Sequence, residues 1–215
     1  MKITGLFAGK PRPFGPRKSP SSIIKSPYSL LNVTKNGALE DEQGNKKLHG
    51  GPQMALHQFA QSSYDQLRLA FPDAASDMQV GSIGENISAL EMNDTNVYIG
   101  DIYQIGDVIL QVGSPRAPCS KINQRYAKKK VDTFILQEGI TGWYYRVIHE
   151  GTIKLNDTMS LIERNQKPFS IKDIMHMSST LTQGGYAKSA LEHAVNSKGL
   201  APEWQDKITR QLNKR

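Results

Sequence analysis

The chain has 215 residues, a net charge of +7 and one cysteine, Cys119, a length that predicts one main domain with a smaller addition. One cysteine excludes an internal disulfide bond and any zinc or iron–sulfur module built from cysteines, and it is typical of a reducing cytoplasm. No apolar run approaches the roughly 20 residues of a membrane span, and the N-terminus lacks the apolar region of a signal peptide, so we expect a cytoplasmic protein without a membrane partner.

Strand patterns dominate the chain up to about residue 165. "KITGLFAG" and "SSIIKSP" predict short strands broken by Gly and Pro, and "YSLLNVTKNGAL" predicts a hairpin at the Asn36-Gly37 turn. "NVYIGDIYQIGDVILQVGSP" alternates apolar and polar residues around Gly-Asp turns, and "TGWYYRVIHEGTIKLNDTMSLIER" repeats that pattern. Short strands at this turn spacing predict a mainly β fold, an antiparallel β-barrel.

Helices interrupt the strands. A helix is predicted over residues 52–71, beginning at Pro52, and another over 125–139, ending near Gly139. After Pro168, three stretches separated by Gly or Pro predict three short helices. We therefore expect two domains, a β-barrel over residues 1–168 and a small three-helix domain over residues 169–215.

The proline-flanked loop around Cys119 is the first candidate for chemistry. Arg116 and Lys121 lie close to the thiol in sequence and favour a thiolate, which suits a nucleophile or a ligand for a soft metal. The alternative is a buried, inert cysteine, although Pro115 and Pro118 preset a backbone that a packed thiol does not require. A cysteine-protease site, with His49 or His149 as partner, has no local signature but stays open.

Two glycine-containing stretches are further candidates. In "HGGP", the backbone N–H groups of Gly50 and Gly51 can face an anion before the predicted helix, although Gly-Gly-Pro is more often simple punctuation and His49 more often a packed histidine. In "GENI", Gly84 indicates either a bulge or a close backbone approach. Asn86 beside it can bind a heterocycle or cap a turn.

The remaining patterns narrow the function classes. Phosphate-loop, dinucleotide-binding, HExxH and GxSxG motifs are absent, which argues against nucleotide hydrolases, Rossmann dehydrogenases, zincins and α/β-hydrolases. Basic regions flank an acidic one over residues 51–120, and they either converge on an anionic ligand or form ordinary solvated faces. Aromatic residues make up only 7% and no nucleic-acid-binding signature appears, so nucleic acid is not an expected partner.

An ordered set of short motifs resembles the MOSC domain, named for the molybdenum cofactor sulfurase C-terminal domain, and in particular its bacterial YiiM-like branch. These motifs span nearly the whole chain, and the proline-flanked cysteine is the most specific of them. They are "IIKSP" (23–27), "HGGP" (49–52), "GENI" (84–87), "IGD" (99–101), "VGSPRAPCSKIN" (112–123) and "TGWYYRV" (141–147).

The resemblance implies a β-barrel that binds a molybdenum cofactor, a pterin dithiolene with a phosphate tail. It implies that Cys119 supplies a thiolate to molybdenum and is the catalytic residue. It further implies cofactor contacts in the motifs already described, at Lys25, Ser26, His49, Gly50, Asn86 and Arg116. A soft thiolate and clustered cations suit such a cofactor.

By the same resemblance, the expected activity is reduction of N-hydroxylated compounds, such as N-hydroxylaminopurine-type bases, to amines. The chain lacks a flavin, haem or iron–sulfur signature, so a separate reductase must supply the electrons. The alternative from another class is a non-catalytic carrier of a molybdenum cofactor or of sulfur. Many relatives have Asp-Lys where this chain has Gln53 and Met54, so an acid–base role at those positions is not expected.

The apolar residues of the helical tail need a partner, because so short a segment cannot form a robust core alone. We expect the tail to pack against the barrel or against the second subunit of a homodimer, and to contribute no ligand to the metal. It would either cover part of the substrate entrance or dock an acidic electron donor.

Overall fold

The structure of the protein is a computed structural model that describes residues 1–44, 50–179 and 185–214. Within these residues, all of the strands and three of the α-helices lie before residue 164, and three further α-helices follow. The strands are β1 (Ile3–Ala8), β2 (Arg12–Phe14), β3 (Ser19–Ser21), β4 (Ser26–Pro27), β5 (Leu30–Thr34), β6 (Gly37–Ala38), β7 (Leu56–Gln58), β8 (Ile87–Ala89), β9 (Ile102–Ile105), β10 (Val108–Pro115), β11 (Trp143–His149), β12 (Gly151–Lys154) and β13 (Met159–Glu163). The α-helices are α1 (Gln61–Ala70), α2 (Lys121–Arg125), α3 (Val131–Glu138), α4 (Ile171–Ser178), α5 (Lys188–Val195) and α6 (Pro202–Leu212).

The main sheet has eight strands in the order β13-β9-β10-β11-β7-β8-β1-β4. It curls into an open half-barrel with helices around it. The start of β1 touches the segment before β13, since Ile3 N donates to Asp157 O at 2.9 Å and Lys2 forms an isolated bridge with Thr158. These few contacts do not make a continuous ladder between the two edges of the sheet.

The predicted closed antiparallel barrel is therefore wrong in two respects, because the sheet is open and contains one parallel pair, β7 with β8. Parallel neighbours need a long crossover connection, and α1 with a second 3₁₀ helix (Pro72–Asp77) provides it here. Alternating apolar and polar residues show that a strand is half-buried, but they carry no information on strand direction or on closure.

Most of the predicted strands and their turns are present. The hairpin at Asn36-Gly37 joins β5 to β6, and the turn at Gly106-Asp107 joins β9 to β10. In the "SSIIKSP" stretch, only β4 and the last residue of β3 are strand, so Ile23 and Ile24 lie in a loop instead. β12 pairs with β5 to form a separate three-stranded sheet with β6, and β2 pairs with β3 as a hairpin.

The helix predicted over residues 52–71 is interrupted. A 3₁₀ helix covers Pro52–Met54, β7 follows at Leu56–Gln58, and only α1 is α-helical. All three residues of β7 are buried because this strand lies between β11 and β8, and a strand buried on both faces has no strand-like alternation to detect. The helix predicted over 125–139 is present only as α3, which ends with Gly139 in the left-handed conformation at φ 67°.

Two hydrophobic clusters form the interior. The larger one lies between the curled sheet and the C-terminal helices and includes Leu110, Tyr145, Ile174 and Trp204. The smaller one lies under α1, α2 and α3. The tail therefore packs against the sheet through a shared core, and the division into domains at residue 168 stays a prediction.

None of the helices in the described residues has both the length and the apolar character needed to cross a membrane.

Candidate functional site

A pocket opens where four loops meet at one end of the sheet. The loops are residues 20–25, 41–44, 83–86 and 116–121, and His57 of β7 and Tyr144 of β11 contribute side chains from the sheet. The pocket contains about 690 Å³ of empty space, its open mouth included.

Cys119 lines this pocket from the loop that joins β10 to α2. Its thiol is free and partly buried, and its carbonyl accepts a hydrogen bond from Ile122 N at 3.0 Å in the first turn of α2. The other end of the loop is held where Arg116 N donates to Gly142 O at 3.0 Å, just before β11. The thiol therefore sits on a loop that is fixed at both ends.

Asp41 is the centre of a buried polar network that also includes Lys25 and Asn86 of the pocket lining. Its carboxylate accepts hydrogen bonds from the Lys25 ammonium, from Gly9 N at 2.8 Å and from Asn86 Nδ2 at 3.0 Å. The Lys25 and Asp41 side chains are 5% and 4% exposed. Burial lowers the pKa of Lys25, and the Asp41 charge partly opposes that shift. The network joins the loop before β4, the loop after β6 and the residue that precedes β8.

Asn86 connects this network to the sheet. Its Oδ1 accepts from His57 N at 3.0 Å, and its Nδ2 also donates to Phe7 O at 3.2 Å. Both N–H groups of the amide are thus used within the protein, and one lone pair of Oδ1 remains for a ligand. Asn86 therefore holds neighbouring segments of the pocket together and also lines the pocket.

The neighbouring residues of the "GENI" motif hold the loop in shape. Gly84 has φ 89°, and a side chain there would meet the Ile23 backbone at 3.2 Å, so the expected close backbone approach is present. Glu85 is fully buried and accepts hydrogen bonds from Tyr64 Oη at 2.7 Å and from Gly81 N at 2.6 Å. Burial raises the pKa of the Glu85 carboxyl, and these hydrogen bonds oppose that effect.

Arg116 brings a guanidinium with one unpartnered nitrogen to the pocket. Its Nη1 is buried and has no hydrogen-bond partner among the described residues. Tyr144 lies nearby, and burial raises the pKa of its phenol, so that the hydroxyl stays protonated near neutral pH even though the Arg116 charge favours ionisation. A guanidinium N–H and a phenol O–H are therefore both available as donors to an anionic or polar ligand.

His57 is a third polar group of the pocket. It is 4% exposed, its ring centroid lies 5.3 Å from that of Tyr144, and its Nε2 has no hydrogen-bond partner in the described parts of the chain. Burial lowers the pKa of His57 well below its usual value, and the nearby Arg116 charge lowers it further. The ring is therefore neutral near neutral pH.

The described residues contain no group of three or more His, Cys, Asp or Glu side chains able to hold a metal ion by themselves. A metal at Cys119 would have to bring most of its ligands with it, as a metal–pterin cofactor does. The thiol and the unpartnered Arg116 Nη1 fit such a group.

A comparison with protein families decides the classification. The sequence profile of the MOSC domain matches residues 45–160. The chain belongs to the MOSC domain family. In general, MOSC domains bind a molybdenum cofactor.

Individual MOSC relatives are similar over much of the chain. It is 33% identical to Protein YiiM of Escherichia coli strain K12 over 160 residues, which cover 74% of this chain and 71% of that protein. It is 37% identical over 142 residues to a protein of Gibberella moniliformis named Reductase, of which it spans only 25%. The crystal structure of YiiM from Geobacillus stearothermophilus superposes with a TM-score of 0.79 at 25% identity, covering 98% of each chain. The protein is therefore a YiiM-like MOSC protein.

The structure brings together most of the predicted MOSC site residues. Cys119, Lys25, Gly50, Asn86 and Arg116 all line the pocket. Ser26 does not line it, because this residue lies on β4 with its side chain exposed and pairs with Ala8. His49 lies outside the described residues. The roles assigned to all of these residues stay predictions.

The two positions that depart from the common MOSC pattern have different surroundings. Met54 lines the pocket and presents an apolar wall. Gln53 is exposed and accepts a hydrogen bond from Arg146 Nε, outside the pocket lining. The expectation that neither position carries an acid–base group is consistent with these side chains.

Asp41, His57 and Tyr144 were missed as site residues by the sequence reasoning. His57 and Tyr144 are on strands whose other residues include buried core side chains, so the sequence of these strands resembles that of a core and gives no sign of a site. Asp41 follows the β5–β6 hairpin in a run of acids that indicates only a solvated turn. "TGWYYRV" was recognised as a motif, which is the one signal that pointed to Tyr144.

Proposed function

We propose that the protein is a molybdenum-cofactor-dependent reductase that converts N-hydroxylated compounds to amines, with the Cys119 thiolate as a ligand of molybdenum. The observation that carries this proposal is the position of the only thiol in the chain, in the same pocket as a buried guanidinium nitrogen, Arg116 Nη1, that has no hydrogen-bond partner among the described residues. A thiolate suits a soft metal, and a free guanidinium suits a phosphate.

Several residues would hold the cofactor. Cys119 would bind the metal, and Arg116 and Lys121 would face the phosphate tail from the same loop. Lys25 and Asn86 also line the pocket. After the contacts with Asp41 are made, the Lys25 ammonium keeps N–H donors and Asn86 Oδ1 keeps one lone pair for a ligand. Gly50 would offer backbone N–H groups beside them. Ser26 would contribute only if a ligand extended beyond the pocket to β4.

The bound cofactor would supply a metal that accepts two electrons and passes them to the N–O bond. The overall conversion is R–NHOH + 2 e⁻ + 2 H⁺ → R–NH₂ + H₂O, in which the N–O bond breaks and its oxygen leaves as water. The chain's own part would be to bind and orient the substrate. The protonated Tyr144 hydroxyl is a hydrogen-bond donor, and Met54 would present apolar surface to the flat face of an aromatic base.

The relatives support the class of reaction. MOSC membership associates the chain with the molybdenum cofactor, and one relative is named Reductase, although the chain spans only a quarter of it. The N-hydroxylated substrate, the separate electron-donating reductase and the cytoplasmic location are part of our proposal. A free thiol accords with a reducing compartment.

The test begins with the protein made in a host that synthesises the cofactor. We expect about one molybdenum and one pterin per chain, and turnover of an N-hydroxylated purine base with a chemically reduced dye. The Cys119→Ala variant, purified in parallel, is the control for turnover that does not need the thiolate. Bound cofactor without turnover in the wild type would instead assign the protein as a carrier, and the absence of molybdenum and pterin would contradict both functions.

A further inference from the structure

Exposed cations lie on two segments of the chain that contact α2, next to the cysteine loop. Arg12, Arg17 and Lys18 lie on the β2–β3 hairpin, and Lys129 and Lys130 lie in the loop between α2 and α3. These five side chains, which we call the basic rim, are exposed and form no ion pair with any described residue.

The hairpin half of the basic rim is attached to the pocket. Lys121, which lines the pocket two residues after Cys119, donates from Nζ to Pro20 O at 2.9 Å and so ties α2 to β3. Phe14 of the hairpin packs against the smaller hydrophobic cluster, which includes Ile122 of α2. Arg17 and Lys18 therefore lie at the tip of a hairpin that is fixed beside the cysteine loop.

The other half is held against α2. Lys128 N donates to Asn123 O at 3.0 Å, and Asp132 N donates to Asn123 Oδ1 at 3.0 Å, so the lysine-rich loop folds back on the helix. Because α2 has only five residues, it is about 8 Å long. Lys129 and Lys130 therefore lie close to α2, the short helix that follows the cysteine loop.

The cations of the helical tail are arranged differently. Lys188 pairs with Glu192 at 4.0 Å, Lys207 with Glu203 at 2.6 Å, and Lys198 with Glu163 at 3.1 Å. No described residue of the tail lines the pocket. Lys172, Arg210 and Lys214 of the described tail form no ion pair either, so we favour the rim over the tail as a docking surface because the hairpin of the rim contacts the pocket lining, whereas no described residue of the tail belongs to that lining.

We propose that the basic rim docks an acidic electron-transfer protein that delivers electrons to the group held at Cys119. This inference rests on the proposed reductase function. Each substrate reduced takes two electrons from the donor protein, whose redox group becomes oxidised, and two protons from water. Because electron transfer slows steeply with distance, a donor docked beside the cysteine loop has an advantage over one docked elsewhere.

The surroundings of the rim favour a protein over a nucleic acid. Single-stranded nucleic acids bind to cationic grooves that also offer aromatic faces for stacking. Phe14 is half-buried and packed, and Tyr126 is buried, so the rim offers charge with little exposed aromatic surface. Unpaired charge steers the encounter with an oppositely charged protein and speeds association.

The test uses reduced flavodoxin, an acidic flavin protein, as electron donor for the cofactor-loaded protein. The rim variant is Arg17→Glu/Lys129→Glu, because Lys18 and Lys130 have positive φ angles of 48° and 68° and are left unchanged. The matched control is Lys154→Glu/Arg210→Glu, which makes the same change in net charge at exposed positions away from the pocket.

At low ionic strength we expect the second-order rate constant for flavodoxin oxidation to fall about tenfold or more in the rim variant, and to stay within about twofold in the control. The difference should shrink near 1 M salt, where charges are screened within about 3 Å. Turnover driven by a small reduced dye should be the same in all three proteins. Binding of oxidised flavodoxin to the cofactor-free proteins, measured by calorimetry, should weaken only in the rim variant.

Equal flavodoxin-driven rates and equal binding in the rim variant and the control would overturn the proposal. A labelled single-stranded 20-mer DNA that binds the wild type at physiological salt, and is lost in the rim variant while flavodoxin rates stay unchanged, would assign the rim to nucleic acid and overturn it as well. If dye-driven turnover is absent from the loaded wild type, the reductase function fails, and the calorimetry alone then decides whether the rim binds the donor. Thermal unfolding checks that both variants fold, and Arg17→Gln/Lys129→Gln replaces a rim variant that does not.

Discussion

Lys25 forms a buried ion pair with Asp41, with side chains 5% and 4% exposed, in the lining of the pocket that also contains Cys119. From sequence, Lys25 was expected to contact the phosphate tail of a cofactor. In the structure, the Lys25 ammonium is the counter-charge of the Asp41 carboxylate, which also accepts hydrogen bonds from Gly9 and Asn86. Lys25 and Arg116 should therefore respond differently to substitution.

Lys25→Met should destabilise the protein by about 3–5 kcal/mol, because it leaves the Asp41 carboxylate buried without its partner. The double variant Lys25→Met/Asp41→Asn should recover a large part of that loss, since no buried charge then remains. Urea unfolding measures both, and Lys121→Met serves as the control at a pocket residue whose ammonium has no acidic partner. Equal stability of Lys25→Met and the wild type would show that the ion pair makes no net contribution.

Arg116→Ala should lower cofactor occupancy without a comparable loss of stability, because its Nη1 has no protein partner to lose. A charged hydrogen bond to phosphate contributes about 1.5–3 kcal/mol, so occupancy under limiting cofactor should fall about tenfold or more. Molybdenum and pterin content per folded chain are the measurements. Arg125→Ala, on α2 but outside the pocket lining, is the matched control, and unchanged occupancy in the Arg116 variant would make Arg116 a structural residue.

Cys119→Ala should abolish reduction of N-hydroxylated substrates while the protein stays folded, since Cys119 is only partly buried and belongs to neither hydrophobic cluster. Dye-driven turnover and circular dichroism are measured on the same sample. Wild-type activity in this variant would rule out the thiolate as a metal ligand. Cys119→Ser is less informative, because an alkoxide can still bind a metal weakly.

Trp204→Ala should destabilise the whole fold by about 3–5 kcal/mol, because this side chain of α6 belongs to the hydrophobic cluster shared with the sheet. Cofactor content per folded chain should not change, since no described residue of the tail lines the pocket. Thermal unfolding and metal analysis test the two parts. For the same reason, we expect a chain truncated after Pro168 to be far less stable than the sequence alone suggests, and a stable, soluble truncation would contradict the shared core.

Asp94 should make stability depend on pH. Burial raises the pKa of its carboxyl to about 7, from 3.8, while Gly142 N donates to Oδ1 at 2.8 Å and opposes the shift. Because the folded state holds this proton more tightly than the unfolded state, the contribution is fully present below about pH 4 and is lost as pH rises through 7. Between pH 5 and pH 8 it should fall by about 3 kcal/mol.

Asp94→Asn keeps the acceptor for Gly142 and removes the titration. The stability of this variant relative to the wild type should therefore be about 3 kcal/mol higher at pH 8 than at pH 5, as measured by urea unfolding at the two pH values. His57 acts in the opposite direction, since its lowered pKa makes the folded state less stable as pH falls below about 6.5. The comparison of Asp94→Asn with the wild type cancels the His57 contribution, and a constant difference across the range would contradict the assignment to Asp94.

Local signals in the sequence determined a large part of the outcome. The Asn36-Gly37 turn, the end of α3 at Gly139 and the close approach at Gly84 follow from the backbone preferences of single residues, and each is present where it was predicted. The ordered motifs identified the family and selected Cys119, because a proline-flanked thiol is distinctive whatever surrounds it.

Contacts between distant residues decided the rest. β7 became a strand inside a predicted helix because β11 and β8 lie on either side of it, 29 or more positions away along the chain. Asp41 joined the site because Asn86, 45 residues later, donates to its carboxylate. Neither contact leaves a local pattern, since the free energy that favours it comes from burial and pairing that exist only after the sheet has curled.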